Sequence, residues 1–255
     1  MLVRDQLNRE LRFDTIPKRI ISIVPSQTEL LYDLGLTTSL VGLSKFCVHP
    51  THLRKELQVV GGTKNVNFDA VTSLRPDIII ANKEENTQRI VDGLEEIAPV
   101  WVSDIRSIND SLEMIAAFGK LFAVPDKANS LIKSINSERE RFEFEMKTIP
   151  LKKVAYLICK NPFMAAGCDT FINELLTINK FENIIKESRY PEIEIAKLME
   201  ADLILLSSEP FPFKQKHLDV IYHKTGVPVK LVDGEYFSWY GSRLKNAFHY
   251  FRELH

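Results

Sequence analysis

The order of structural signals is written twice around one long, uninterrupted helical stretch, and that repeat constrains the fold more than any other feature. In the first half, an apolar strand over residues 20–24 leads through a polar loop into a helix over 28–34. Arg75-Pro76-Asp77 then leads into the apolar run 78–81, and Pro99 into residues 100–102 and Asp104. The second half repeats this order. Residues 154–158 read as a strand, and a helix starts near Asp169. Glu200-Ala201-Asp202 then leads into the run 203–206, and Pro228 into 229–232 and Asp233. Two lobes of the same α/β grammar predict a cleft between them, the usual place for a small ligand.

The joining segment spans 125–148. Ala128, Leu131, Ile132, Ile135, Phe142 and Met146 recur at helical spacing, and no Gly or Pro interrupts after Pro125. Such a helix spans about 30 Å, and its stiffness limits hinge closure. The predicted architecture is therefore α/β, with two Rossmann-like lobes (1–124 and 149–255) joined by a single long rigid α-helix. Locally, residues 2–13 predict a short hairpin, and 84–97 an amphipathic helix. Ser26-Gln27-Thr28-Glu29 has the spacing of a capping box at the start of the first helix.

Composition removes several functions. Net charge is −1 and no basic patch stands out, which argues against nucleic acid as a partner. Three cysteines, Cys47, Cys159 and Cys168, imply no disulfide framework. No run is long enough to span a membrane, and residues 1–16 hold no stretch of signal-peptide length. As written, the chain reads as cytoplasmic. Removal of a signal would make it periplasmic.

Ligands of open α/β sheets bind beyond the carboxyl ends of strands. The loops there carry Phe46, Phe163, Phe211, Phe213, Tyr236, Phe237, Trp239 and Tyr240, with Tyr190 on a separate loop. Such rings either face a large, flat, partly apolar ligand or cap the lobes and fill their cores. Cys47-Val48-His49 with His52 is the only tight group of soft metal ligands, and it lacks the paired spacing of a structural zinc site. One axial Cys or His on the metal of a bound chelate remains open, as does a buried Cys47 with a hydrogen-bonded His49. There is no dinucleotide fingerprint, phosphate-binding loop or nucleophile elbow. Glu84, Glu85 and His49 are the candidate acid/base groups if the cleft belongs to a corrinoid- or tetrapyrrole-processing enzyme.

Several motifs carry a family resemblance over nearly the whole length. They include Pro17-Lys18-Arg19-Ile20-Ile21-Ser22, Pro25-Ser26-Gln27-Thr28-Glu29-Leu30, Leu34-Gly35-Leu36 and Leu74-Arg75-Pro76-Asp77-Ile78. The chain resembles solute-binding proteins of the iron-chelate and cobalamin class, whose lobes are joined by a rigid helix. Lys45-Phe46-Cys47-Val48-His49-Pro50, Gly61-Gly62-Thr63-Lys64-Asn65, Arg189-Tyr190-Pro191-Glu192 and Ser238-Trp239-Tyr240-Gly241 bring it nearer the cobalamin-binding, helical-backbone metal receptor subgroup.

The resemblance implies a non-enzymatic binding protein with no intrinsic cofactor. Its ligand would be a bound corrinoid, haem or ferric chelate. Phe46, Phe163, Tyr190, Phe211, Trp239 and Tyr240 would contact the ring. Lys64, Lys83 and Arg243 would meet its polar edge, and Cys47 or His49 its metal. It also implies docking to an ABC permease through one carboxylate per lobe. Asp69 stands for the first. The second falls at or near Ala196, with Glu192 and Glu194 as neighbours.

Overall fold

The computed structural model describes residues 1–255. It forms two compact units. The first comprises Met1–Asp104, Asn109–Ile135 and Tyr240–Lys245, and the second Ile105–Ile108, Asn136–Trp239 and Asn246–His255.

The first unit opens with a hairpin of β1 (Leu2–Arg4) and β2 (Glu10–Arg12). Next come β3 (Ile20–Ser22), α1 (Pro25–Asp33), β4 (Leu40–Leu43), α2 (Leu53–Glu56), β5 (Gln58–Val59) and α3 (Phe68–Ser73). They are followed by β6 (Ile78–Asn82), α4 (Gln88–Glu95), β7 (Val100–Ser103) and α5 (Ile108–Leu121). β3 and β6 are Ile-rich and wholly buried, as parallel strands covered on both faces must be. The sheet is parallel, in the order β5-β4-β3-β6-β7.

α6 (Pro125–Glu145) is the predicted long helix, 21 residues in length. Its first half belongs to the first unit and its second half to the second. In the second unit Phe142 packs on Phe248 and Phe251, while Arg252 binds Glu145 at 2.5 Å. The second unit continues with β8 (Lys152–Lys160), β9 (Phe163–Ala165), α7 (Phe171–Ile178), β10 (Phe181–Asn183) and α8 (Ile195–Leu198). β11 (Leu203–Ser207), α9 (Gln215–Thr225), β12 (Val229–Val232), α10 (Gly234–Ser238) and α11 (Leu244–Arg252) complete the chain. The strand order is β10-β8-β11-β12, all parallel, with β9 antiparallel to β8.

The repeat seen in the sequence has a hydrogen-bond signature. The Asp77 amide donates to the Arg19 carbonyl, and its carboxylate accepts from the Lys18 and Arg19 amides. In the second unit the Asp202 amide donates to the Lys153 carbonyl, and its carboxylate accepts from the Lys153 amide. Each aspartate ties the first strand of its unit to the strand crossing back beside it, so Asp77 and Asp202 are equivalent positions.

Two local expectations are corrected. The capping box does not form. Pro25 lacks an amide hydrogen and has a preset φ, so it takes the first helical turn and makes Val24 the cap residue. Ser26 and Glu29 then lie inside the helix. The expected helix from residue 84 starts only at Gln88, with the Thr87 side chain as cap. The Asn82 side chain accepts from the Glu84 and Glu85 amides and holds both in a turn.

Candidate ligand face

The order of a parallel sheet reverses where chain growth changes direction, and the loops diverging there leave a crevice. In the first unit this point lies between β3 and β6, and in the second between β8 and β11.

The first unit fills its crevice with its own residues. The fully buried Gln27, in the first turn of α1, donates to Ser103 Oγ at 2.5 Å and to the Tyr240 hydroxyl at 3.2 Å. Asn82 Nδ2 joins Ser103 Oγ at 3.0 Å. Tyr240 is only 6% exposed, and burial raises its hydroxyl pKa far above the usual value. Gly241 follows with a positive φ, and its amide donates to Ser111 Oγ. Tyr240 therefore caps this sheet and offers little ring area to a ligand. Arg243 is likewise engaged, gripping Glu29 at 2.9 and 2.7 Å. Burial raises the Glu29 pKa, and the Arg243 hydrogen bond and charge oppose that rise.

Other sequence candidates of this unit separate into buried and open positions. Cys47 is fully buried, 3.0 Å from Thr28 Oγ1 and 3.2 Å from Ser44 Oγ. Burial pushes its thiol pKa up, whereas metal binding needs a thiolate. This geometry gives Cys47 a packing role. His49 is half-buried and precedes Pro50 through a cis peptide. No group of three or more His, Cys, Asp or Glu side chains converges to hold a metal. Phe46 is 49% exposed, with the Lys45 ammonium over its ring. Lys83 pairs with Asp104 at 2.7 Å. Lys64 is exposed and borders a groove of about 810 Å³ with Phe68, Thr72, Arg89 and Gly93. Asp69 is exposed in the first turn of α3.

The second unit leaves more of its crevice open. β8 ends at Lys160, turns through Asn161 and a cis Pro162, and returns as β9 with Phe163 half-buried. After β11 the loop leans across, and the Phe211 amide donates to the Ile158 carbonyl. Phe211 stacks edge-on against Phe213 at 4.8 Å and lies 5.7 Å from the His217 ring. Phe163 and Phe211 both pack on the core beneath. Tyr190 is half-buried beyond β10.

Trp239 is buried rather than presented. Beside it, Glu209 accepts from Ser238 Oγ. Burial raises the Glu209 pKa, with the Ser238 hydrogen bond opposing. Lys214, Lys216 and His217 carry no signal in the sequence, because the cap position of α9 is Lys214 rather than a Ser, Thr, Asp or Asn that would announce a helix start.

Two largely parallel sheets, each with a switch point at its carboxyl edge, make the class of α/β fold in which small ligands bind at strand ends. Residues 20–221 match the family described as Periplasmic binding protein, and the chain belongs to it. The family consists of binding proteins, so the acid/base role considered for Glu84, Glu85 and His49 falls away. The chain is 30% identical over 190 residues to the ABC transporter substrate-binding lipoprotein YvrC of Bacillus subtilis (strain 168), covering 71% of this chain and 60% of that protein. It is 26% identical over 183 residues to the vitamin B12-binding protein of Salmonella choleraesuis (strain SC-B67), covering 70% and 66%. A periplasmic heme binding protein from Pseudomonas aeruginosa has the same fold, with a TM-score of 0.78 over 93% of this chain and 92% of the other at 19% identity. This chain thus spans about two thirds or less of the two curated relatives. No helix is long and apolar enough to cross a membrane.

Proposed function

We propose that this protein is the substrate-binding component of an ABC importer for a bulky metal chelate: a corrinoid, haem or ferric siderophore. It would work outside the cytoplasmic membrane, like the substrate-binding lipoprotein and the periplasmic heme binding protein to which it is similar. The observation that carries the reading is the pair Phe163 and Phe211, half-buried at the switch point of the second unit, where an apolar face meets solvent. Tyr190 is half-buried in the same unit; in the first unit Phe46 and Lys64 are exposed.

Docking would use one carboxylate from each unit. Asp69 precedes Asp77 by eight positions, and Glu194 precedes Asp202 by eight. Because Asp77 and Asp202 make equivalent hydrogen bonds, Glu194 rather than Ala196 is the counterpart of Asp69. Both carboxylates are exposed beside short helices, Asp69 in the first turn of α3 and Glu194 at the cap of α8.

The test is a spectroscopic titration with cyanocobalamin, cobinamide and haemin, backed by calorimetry. Saturable one-to-one binding with a shifted absorption band is expected for at least one of them. If none binds and a ferric siderophore panel also fails, the reading is wrong.

A further inference from the structure

Three lysines surround the aromatic pair of the second unit. Lys160 ends β8, and Lys214 and Lys216 flank the start of α9. None is paired with a carboxylate, in contrast to Lys83 and Arg243 of the first unit. His217 lies beside them: it packs against Phe211 and Phe213, and its Nδ1 accepts from the Lys214 amide. Burial lowers its pKa, and the charges of Lys160, Lys216 and Lys214 lower it further.

Of the acids at this end of the sheet, Asp233 caps α10 through the Glu235 amide and Glu209 is turned in against Ser238. Glu192 and Glu194 are exposed on either side of Ile193, whose amide donates to the Phe163 carbonyl. Unpaired cations around half-buried rings are complementary to a ligand with an apolar body and anionic edges. A corrinoid whose periphery carries neutral amides would leave the three charges unanswered.

Resting on the chelate reading above, we propose that the ligand is an anionic metal chelate, its charge coming from peripheral carboxylates or from catecholate donors on the metal. Lys160, Lys214 and Lys216 receive that charge while Phe163 and Phe211 meet the apolar surface.

Four probes test this on the full chain: haemin for peripheral carboxylates, a ferric tris-catecholate for catecholate charge, cyanocobalamin, and the cationic cobinamide. At low salt, haemin or the tris-catecholate should bind at least ~10-fold more tightly than either corrinoid, and its affinity should fall as salt screens the contacts. Which of the two wins identifies the source of the negative charge. The double substitution Lys214→Glu/Lys216→Glu lies on exposed side chains and should preserve the far-ultraviolet circular dichroism. It should weaken the preferred anion by ~10-fold or more, because two exposed attractive contacts become repulsive. Lys160→Gln should weaken it further, and neither change should weaken cobinamide. Tighter binding of either corrinoid overturns the proposal. So does an anion whose affinity ignores both salt and the double substitution. Failure of all four probes overturns this proposal, and the chelate reading falls with it if the wider ferric siderophore panel also fails.

Discussion

The guanidinium of Arg243 grips the carboxylate of Glu29 through two nitrogens, across 214 positions of sequence. The pair is largely shielded, with side-chain exposures of 12% and 18%. It fastens the segment Tyr240–Lys245 to the first turns of α1. Arg243→Ala should therefore cost about 2–4 kcal/mol, because it leaves a shielded carboxylate without its partner. Chemical denaturation measures this, and a cycle with Glu29→Gln isolates the coupling. A stability change below about 0.5 kcal/mol would mean that the fork contributes nothing net.

Tyr240 divides into a hydroxyl and a ring. Tyr240→Phe removes one of the two partners of Gln27 Nε2, leaving Ser103 Oγ, and should cost about 1 kcal/mol. Tyr240→Ala opens a cavity over the first sheet and should cost about 3–5 kcal/mol. If Tyr240 faces the ligand instead, Tyr240→Phe will leave stability unchanged and alter affinity.

Glu209 sets a pH dependence. Its folded-state pKa is raised by burial above the ordinary 4.5. The stabilising contribution of its protonated form is fully present below that ordinary value. It is lost as pH climbs through the raised one, and stability from this group is flat above it. Glu209→Gln should remove that slope and leave the protein at least as stable at neutral pH. Denaturation midpoints between pH 4 and 8 read the difference. An unchanged slope in the variant would assign the effect elsewhere.

Phe211→Ala should weaken ligand binding by about 1–3 kcal/mol, the usual loss for one apolar aromatic contact. Calorimetry on the preferred chelate is the measure, and unchanged affinity removes Phe211 from the site.

Cys47→Ala should leave the absorption spectrum of the bound chelate unchanged, since the thiol sits under Thr28 and Ser44. A shifted band in this variant, with His49→Ala silent, would make the thiol the metal ligand.

What the sequence could tell differed between fold and site for a physical reason. Strands β3, β6, β8 and β11 are buried on both faces, so each shows as a run of apolar residues bounded by Pro or Asp. α6 announces itself by periodicity. The direction of a ring at a strand end leaves no such pattern. Phe211 and Tyr240 both follow strand ends and look alike in sequence, yet one borders an open face and the other plugs a sheet. Pairing across long separations is equally silent, and Arg243 reads as a free cation until Glu29 is brought beside it. The lysines at α9 needed the lean of the 208–213 loop toward β8, set by the bond from the Phe211 amide to Ile158.

The first unit is finished only by Tyr240–Lys245, six residues separated from the rest of that unit by more than one hundred positions of sequence. On the ribosome, its sheet therefore waits without its plug until residues 240–245 have been made. No single cut yields two self-sufficient halves either. A fragment ending at Trp239 lacks the cap of one sheet and also loses α11, which packs on Phe142 in the other unit. Maturation of the first unit is thus bound to synthesis of the second, and a chain cut before residue 240 leaves both units unfinished at once.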